Sequence, residues 1–282
     1  MTLSVALRLG RVSNLPTVTS NVLAAIALSG ARPGVVAIAI VCAAMSLLYV
    51  AGMYLNDAFD RDIDRVERPE RPIPAGEVDA ATVFGLGFLQ LALGVLAIAG
   101  LAIVRGSGCW PIASALALAL LIVIYDVSHK HTKLSPLIMG LCRVGVYTTA
   151  ALAASATIDR ALLVGCGGLL AYLIGLTYIA RQENLRELGN LWPLAFLGIP
   201  FVVATPVGML ATAIYIGLAA WTVRALVLVA RRQIRAAVTS LIAGISLLDA
   251  LFVARLDRPT MAAVALAAFA LTLVAQRRIA GT

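Results

Sequence analysis

The sequence predicts an all-α membrane protein whose helices cross the bilayer nine or ten times. Of its 282 residues, 61% are hydrophobic and 13% are charged, whereas soluble domains average about 45–50% and about 25%. The mean hydropathy is +0.98. These values exclude a soluble enzyme, a disordered chain and a disulfide scaffold. Most of the chain is therefore expected in the membrane, as one integral-membrane domain covering residues 1–282.

Charges, glycines and prolines divide the chain into ten apolar runs, most of which reach the roughly 20 residues that span a bilayer. The runs cover residues 15–31, 34–55, 81–104, 110–128, 136–156, 160–180, 191–204, 207–230, 234–254 and 259–276. The seventh run is short, and Pro200 and Pro206 predict that it forms a bent helix or half of a hairpin. The chain has ten spans if this run crosses the bilayer and nine if it does not.

The basic residues predict the orientation of these spans. Arginines and lysines concentrate in the loops after the second, fourth and sixth runs, and the loops between them carry few. Cytoplasmic loops are enriched in Lys and Arg, so these loops and the N-terminus are expected on the cytoplasmic side of the cell (inner) membrane. The first run follows no convincing cleavage site and is interpreted as a retained helix.

The net charge of +8 does not predict a nucleic-acid partner. Nucleic-acid binding requires a dense basic stripe on a soluble face. Here the basic residues lie singly or in pairs at the ends of apolar runs. The expected partner of this charge is the lipid bilayer.

Acidic residues are concentrated at the end of the second run, where residues 57–79 hold eight of the 14 Asp and Glu residues. At about 100° per residue, four oxygen-bearing side chains share one helical face, while Asp62 points away. These four are Asn56, Asp57, Asp60 and Asp64. Carboxylates packed this closely repel one another, and a bound Mg²⁺ would relieve that repulsion. The alternative is a solvated acidic loop that ends the helix.

The segment from Asn56 to Gly76 resembles the first aspartate motif of the UbiA superfamily of membrane prenyltransferases. It reads N-D-x-x-D-x-x-I-D and is followed by R-P-x-x-x-G from Arg71. The resemblance extends to R-x-x-N-L-P-T at Arg11–Thr17 with Asn21, and to the number of helices. Within the superfamily, D-A-F-D-R-D-I-D-R-V-E-R-P-E-R-P-I-P-A-G and Y-D-V-S-H-K-H-T look most like the EboC-type branch.

This resemblance implies a cavity within the bilayer, enclosed by the helices and open to the cytoplasmic side, in which Mg²⁺ holds an isoprenyl diphosphate. By position, the metal ligands would be Asn56, Asp57, Asp60 and Asp64, the three aspartates being catalytic as well. Substrate binding would fall to Asn21, Arg65, Arg68 and Arg71. Guanidinium groups match phosphate oxygens, although anchoring at the cytoplasmic surface is the alternative for the three arginines.

The loop after the fourth run also matches the family, which has a Tyr followed by a Lys or Arg there. Tyr125 and Lys130 fit as catalytic residues, with a gap one residue longer than the common form, and His129 occupies the position of the usual lysine. A cation here would contact the leaving diphosphate. Asp126 and His129 could share a helical face, but no second cluster completes a zinc site. Ordinary loop polarity remains the alternative.

The loop after the sixth run departs from the family, which usually has a second D-x-x-x-D cluster there. No Asp occurs between Thr177 and Glu187. Glu183 and Glu187 are four residues apart and are expected to stand in as a carboxylate pair, with Arg181 also binding the substrate. The alternative is a polar loop that ends the helix.

Three ionisable residues lie inside expected spans, where such residues usually face a bundle interior or a cavity. They are Arg143, Arg224 and Asp249. Arg143 is expected near the cytoplasmic side, joining the diphosphate pocket. Asp249 is expected nearer the opposite side, where it would pair with Arg255 or cap its helix.

The expected function is Mg²⁺-dependent transfer of a prenyl group from an isoprenyl diphosphate to a hydrophobic or amphiphilic acceptor within the membrane. The acidic loop that departs from the family motivates a second hypothesis, a non-catalytic isoprenoid-diphosphate-binding or export accessory protein. A secondary transporter is less favoured, because transporters place ionisable residues near the midplane of the bilayer. In this sequence most of them cluster on one side.

Overall fold

The computed structural model describes residues 1–155, 157–182 and 190–279, and within these it is helical without a strand. The all-α prediction is therefore confirmed. The α-helices of the described residues are α1 Leu3–Leu9, α2 Leu15–Leu28, α3 Val35–Phe59, α4 Arg61–Glu67, α5 Ala80–Arg105, α6 Trp110–Ser128, α7 Ser135–Ser155, α8 Arg160–Ala180, α9 Ile199–Val203, α10 Gly208–Ala230, α11 Ile234–Ala254 and α12 Pro259–Gln276. Two 3₁₀ segments, Val12–Asn14 and Trp192–Gly198, precede α2 and α9.

Eight helices of the described residues are long and apolar enough to cross a membrane, namely α3, α5, α6, α7, α8, α10, α11 and α12. The first and seventh apolar runs form shorter helical segments, Val12–Leu28 and Trp192–Val203. A full span needs about 20 residues. Whether these two segments also cross, giving nine or ten spans, stays a prediction.

Helices α2 and α12 lie antiparallel in the bundle. Gln276 Nε2 donates to Asn14 Oδ1 at 3.0 Å, joining the end of α12 to the start of α2. At the other end, Arg258 Nη1 donates to the carbonyl oxygen of Ala31 at 2.9 Å. We call the end of the bundle that contains Asn14 the site end, because the polar groups described below lie there.

The segment Trp192–Val203 runs antiparallel to α8 and away from the site end. Leu197 packs on Gly175, where a Cβ atom would lie 2.8 Å from Leu197 Cγ, and Val203 packs on Gly168. The segment changes from 3₁₀ to α geometry after Gly198, and the bend expected there stays a prediction. Because α10 then returns to the site end, the direction of the ten apolar segments alternates throughout.

The centre of the bundle is formed by α2 and α11. All residues of α11 from Ala243 to Ala254 are buried, as are almost all residues of α2. The outer helices present large apolar side chains outwards, among them Phe88, Leu96 and Ile103 of α5. An apolar outer surface of this extent matches the hydrocarbon of a bilayer, in agreement with an integral-membrane protein.

Candidate active site

A cavity of about 470 Å³ opens among α2, α3, α6, α7, α8 and α11. Its polar lining residues are Arg11, Asn14, Tyr49, Asn56, Asp60, Glu67, Arg68, Arg71, Tyr125, Asp126, His129, Lys130, Ser135, Arg143, Thr177 and Arg181. Its apolar wall includes Leu48 and Leu118, which precede Asn56 and Tyr125 by about two helical turns. The cavity therefore has a charged region at the site end and an apolar region deeper in the bundle.

The acidic face predicted for the end of α3 is present. The helix ends at Phe59, but the backbone N–H of Asp60 donates to Asn56 and that of Asp64 donates to Asp60, both at 2.9 Å. These bonds continue the helical pattern through the junction with α4. The four residues on this face are 1–8% exposed, while the Asp62 side chain is 64% exposed.

Arg71 joins two of these carboxylates. Its Nη1 donates to Asp57 Oδ1 at 3.1 Å and to Asp64 Oδ2 at 2.6 Å. Arg71 lines the cavity, whereas the two aspartates lie behind it and do not. The positive charge of Arg71 compensates the acidic face, and its other side is directed to the cavity.

Arg11 holds the same acidic face from the N-terminal side. It has a left-handed backbone conformation, with φ of 41°, in the turn between α1 and the first 3₁₀ segment. Its Nη2 donates to Asp57 Oδ1 at 3.0 Å, with Asn56 Oδ1 at 3.5 Å. A non-glycine residue in this conformation is uncommon, and here it turns the guanidinium towards the cavity.

Asp60 faces two basic side chains at the end of α6. Its Oδ2 lies 3.3 Å from His129 Nε2 and 3.8 Å from Lys130 Nζ. Lys130 also lies 3.9 Å from a carboxylate oxygen of Glu67, and the ring of Tyr125 stacks on His129. The basic residues that the sequence placed after the fourth run therefore meet the first acidic motif directly.

Two aspartates of the acidic face, Asp60 and Asp64, differ in their proton affinity. Burial raises the pKa of Asp64 above its usual value, and the charge and hydrogen bond of Arg71 only partly oppose this effect. Burial also acts to raise the pKa of Asp60, but the hydrogen bond to His129 and the positive charge of Lys130 outweigh it, so that this pKa is lowered. Asp60 is thus the carboxylate that its surroundings hold in the ionised form.

A second contact joins α3 to α6, one turn deeper. Asn56 Nδ2 donates to Asp126 Oδ1 at 3.4 Å. The residue Asp126 is 3% exposed, and its other carboxylate oxygen, Oδ2, is buried without a hydrogen-bond partner. In the sequence, Asp126 is interpreted only as part of a zinc site with His129, and no local pattern predicts a buried carboxylate on the cavity wall.

Of three further arginines predicted to bind substrate, two line the cavity and one does not. Arg68 and Arg181 line the cavity, and Arg181 Nη1 donates to the carbonyl oxygens of Thr132 and Lys133 at 3.3 Å each. Arg65 is not brought to the cavity, because its side chain is 68% exposed and pairs with Asp62 at 2.9 Å. Of the predicted residues, Glu183 and Glu187 lie outside the described residues.

Arg143 is on the cavity wall, eight residues into α7, or about 12 Å along the helix. Its Nη1 donates to Asn21 Oδ1 at 2.8 Å, and Nη2 donates to Thr17 Oγ1 at 3.2 Å. Asn21 is itself fully buried and does not line the cavity, so its contact with a substrate would be made through Arg143.

Asp249 lies behind this arginine, and its expected partner was wrong. The carboxylate accepts hydrogen bonds from Ser20 Oγ, Asn21 Nδ2 and Tyr147 Oη at 2.5, 2.8 and 2.5 Å. The predicted partner Arg255 instead donates to the carbonyl oxygen of Val203. Asp249 therefore belongs to the core between α2, α7 and α11, and it orients Asn21.

Two residues missed as site residues had a signal in the sequence. Arg11 and Asn14 both line the cavity and are the first and fourth positions of the R-x-x-N-L-P-T segment. In the sequence, His129 is interpreted as occupying the position of a lysine or as a partner of Asp126 in a zinc site. Its contact with Asp60 depends on how α3 and α6 pack, which no local pattern records.

The cavity residues fit a Mg²⁺ ion that enters with a diphosphate. Asn56 and Asp60, which both carry oxygen ligands, line the cavity. Behind them, Asp64 Oδ1 is buried without a hydrogen-bond partner. Mg²⁺ is usually bound through one or two carboxylates together with substrate phosphates. Among the described residues, no three His, Cys, Asp or Glu side chains are grouped to hold a metal by themselves. The donor set is therefore one that a phosphate ligand would complete.

Residues 14–280 match the profile of the UbiA prenyltransferase family. The chain belongs to this family. The match covers both the aspartate segment at the end of α3 and every helix of the cavity wall.

Curated relatives of this family member include two archaeal enzymes named digeranylgeranylglyceryl phosphate synthase. The protein of Methanosarcina mazei is 33% identical over 145 residues, which are 50% of this chain and 45% of the relative. That of Ignicoccus hospitalis is 39% identical over 128 residues, or 45% of this chain and 40% of the relative. The matched part of this chain thus spans less than half the length of each relative.

A solved structure of a UbiA homolog from Archaeoglobus fulgidus bound to GPP and Mg²⁺ has the same fold. It superimposes with a TM-score of 0.56 and 12% sequence identity, covering 96% of this chain and 99% of that protein. At this identity the likeness establishes the fold. It confirms the expected membrane-helix architecture of the UbiA family member.

Proposed function

We propose that this protein transfers a prenyl group, an alkyl group other than methyl, from an isoprenyl diphosphate to a hydrophobic or amphiphilic acceptor within the membrane, with Mg²⁺ as cofactor. The observation that carries the proposal is the pairing of Asp60 with His129 and Lys130 at the charged end of a cavity whose deeper wall is apolar. The charged end suits a metal-bound diphosphate, and the apolar wall suits a prenyl chain.

In this proposal Asn56 and Asp60 hold Mg²⁺, with Asp57 and Asp64 positioned behind them through Arg71. Bound Mg²⁺ would neutralise charge on the diphosphate oxygens. Lys130, Arg68 and Arg181 line the same region and would bind those oxygens directly. Positive groups arranged in advance around a leaving diphosphate stabilise the charge that develops in the transition state.

The transfer breaks the bond between the allylic carbon and the diphosphate oxygen, and the bonding electrons leave with pyrophosphate. The acceptor then bonds to that carbon and releases a proton. Apolar residues such as Leu48, Leu118 and Ile122 surround the space where the chain would lie. Few water molecules fit against such a wall, which favours the acceptor over hydrolysis. Arg143 is positioned to contact a polar group of a substrate deeper in the cavity.

The archaeal relatives named as synthases support prenyl transfer as the reaction class. They cover half of this chain, so the acceptor and the length of the prenyl chain are not assigned from them. Membership of the EboC-type branch rests on the sequences around Asp57–Gly76 and Tyr125–Thr132. Placement in the inner membrane, with the site end cytoplasmic, rests on the distribution of Lys and Arg.

The second candidate function is a non-catalytic isoprenoid-diphosphate-binding or export accessory protein. It is favoured by the absence of Asp between Thr177 and Glu187. A protein with one acidic motif could bind the diphosphate and not ionise it.

Incubation of the purified protein with Mg²⁺ and a panel of prenyl diphosphates distinguishes the two functions. The transferase releases pyrophosphate and labels a lipid extract with the prenyl group, whereas the accessory protein binds without release. Asp60→Asn should abolish release. Asp62→Asn is the matched control, because Asp62 lies in the same segment but faces away from the cavity. Full activity in Asp60→Asn would refute the assignment.

A further inference from the structure

We propose that Asp126 is a third protein ligand of the divalent cation, bound together with Asn56 and Asp60. This inference rests on the proposed function, because it assumes that a cation enters the cavity. It replaces a ligand set taken from one helix with a set that joins α3 to α6. It also supplies a cavity carboxylate in a chain that has no Asp in the loop after the sixth run.

The first argument is the state of the Asp126 side chain. The residue is 97% buried, yet it lines the cavity. Only Oδ1 has a hydrogen bond, a long one of 3.4 Å from Asn56, and Oδ2 has no partner within the part of the chain that the structure describes. A buried carboxylate oxygen without a partner is costly, and such groups are normally paired or coordinate metals.

The second argument is the arrangement of the two helices. Asn56 and Asp60 lie one turn apart on α3, and Asp126 and His129 lie one turn apart at the end of α6. The deeper pair is joined by the Asn56–Asp126 contact, and the outer pair by the Asp60–His129 contact. Asp126 therefore lies on the same side of α3 as Asn56 and Asp60. The amide nitrogen of Asn56 faces Asp126 and its oxygen faces Arg11, so Asn56 would bind the cation after its amide turns over.

The third argument is charge. In the described residues, no Lys, Arg or His nitrogen forms an ion pair with Asp126. Asp57 and Asp60 each have two such pairs, and Asp64 has one. His129 contacts Asp126 only through the backbone carbonyl oxygen. A cation bound in the cavity would supply the missing positive charge. The donors offered to it are all oxygen atoms, a set that suits Mg²⁺ or Mn²⁺ and not zinc.

Mn²⁺ binding tests this assignment with a signal that does not depend on turnover. The full chain in detergent micelles is titrated with Mn²⁺ in the presence of inorganic pyrophosphate, and free Mn²⁺ is followed by electron paramagnetic resonance. We expect Asp126→Asn to weaken Mn²⁺ binding at least about tenfold. Replacing a residue that only supports a metal ligand already lowers metal affinity by about 10-fold or more. Asp126→Glu, which keeps the carboxylate, should retain more of the affinity. Asp62→Asn should bind like the wild type.

Unfolding without metal separates a ligand from a purely structural residue. In EDTA, Asp126→Asn should unfold at the same temperature as the wild type or higher, because it removes an unpartnered buried carboxylate. The increase in unfolding temperature that Mn²⁺ gives the wild type should be lost in the variant. If Asp126→Asn does not fold, Asp126→Ser, which leaves room for water, is measured in the same way.

The possible outcomes separate this inference from the proposed function. Wild-type affinity for Mn²⁺ in Asp126→Asn, or no Mn²⁺ binding by the wild type, would overturn the inference. A wild type that binds Mn²⁺ through Asp126 but releases no pyrophosphate from geranyl diphosphate would support the cation site and refute the transferase. Loss of binding in Asp126→Asn together with pyrophosphate release by the wild type supports both.

Discussion

The guanidinium of Arg71 donates a 2.6 Å hydrogen bond to the carboxylate of Asp64, a residue that is 1% exposed. The same nitrogen reaches Asp57. One arginine from the loop after α4 thus compensates two buried negative charges at the end of α3. The acidic motif depends on this loop for its stability, in addition to any metal it binds.

Replacing Arg71 by Met should strongly destabilise the protein. The change leaves buried carboxylates with less compensation, and removing one partner of a buried ion pair costs about 3–5 kcal/mol. The midpoint of unfolding in mixed micelles with increasing SDS measures the effect. Arg65→Met is the control, since its pair with Asp62 is exposed and such pairs contribute about 0–1 kcal/mol. Equal midpoints for the two variants would contradict this account.

The stability of the metal-free protein should depend on pH through Asp64 and Asp60 with opposite signs. Because the pKa of Asp64 is raised in the folded state, its contribution to stability is greatest at low pH and is lost as the pH rises through that pKa. Asp64→Asn should therefore gain stability relative to the wild type as the pH increases from about 4, the usual value for Asp.

Asp60 provides the opposite comparison in the same experiment. Its pKa is lowered in the folded state, so its stabilising effect is present above the usual value and is lost as the pH falls. Asp60→Asn should be less stable than the wild type near neutral pH, and the deficit should shrink in acid. The unfolding temperatures of the wild type and both variants are measured in EDTA between pH 3 and pH 7. Variant curves that run parallel to the wild-type curve would contradict these directions.

Adjacent glycines of α8 should respond differently to alanine. A Cβ atom on Gly168 would lie 2.9 Å from Phe252 Cζ and 3.1 Å from Val203 Cγ2, whereas one on Gly167 would meet nothing within 4 Å. Overpacking of a core costs about 1–3 kcal/mol, so Gly168→Ala should unfold earlier than the wild type. Gly167→Ala should be neutral or slightly stabilising, because Ala favours helix. The unfolding midpoints of the pair test the packing of α9 and α11 on α8.

The buried carboxylate of Asp249 should be sensitive to loss of its charge. It accepts hydrogen bonds from Ser20, Asn21 and Tyr147, and an amide nitrogen in place of one oxygen would face donors. A buried group left without its partner costs about 1–3 kcal/mol, so Asp249→Asn should lower the unfolding midpoint by that amount. Asp257→Asn is the control, since Asp257 is exposed and has a left-handed backbone that Asn tolerates. A comparable loss in the control would contradict the prediction.

Much of this architecture could be predicted from local patterns. The long apolar runs predict helices, because in a bilayer the backbone N–H and C=O groups of each run must form their hydrogen bonds within the run itself. The spacing of Asn56, Asp57, Asp60 and Asp64 places them on one face because the helix continues almost unbroken past Phe59. In the same way, Asp62 is exposed as its position on the helix requires.

The partners of the buried charges could not be predicted, since they depend on contacts between helices far apart in sequence. Asp249 is 228 residues from Asn21, and no periodicity within α11 indicates which helix it faces. The same holds for Asp126, which is 70 residues from Asn56. Arg65 shows that proximity in sequence can also mislead. Its position beside the acidic motif predicts a role in substrate binding, but its side chain faces outwards and pairs with Asp62.

The hydrogen bond between Gln276 and Asn14 has a consequence for biosynthesis. It joins residues 262 positions apart, and Asn14 lines the cavity. Helices enter a membrane in the order in which the ribosome makes them. This part of the cavity wall is therefore complete only after α12 has been translated and inserted. A folding intermediate with only the earlier helices would lack the hydrogen bond from Gln276 to Asn14.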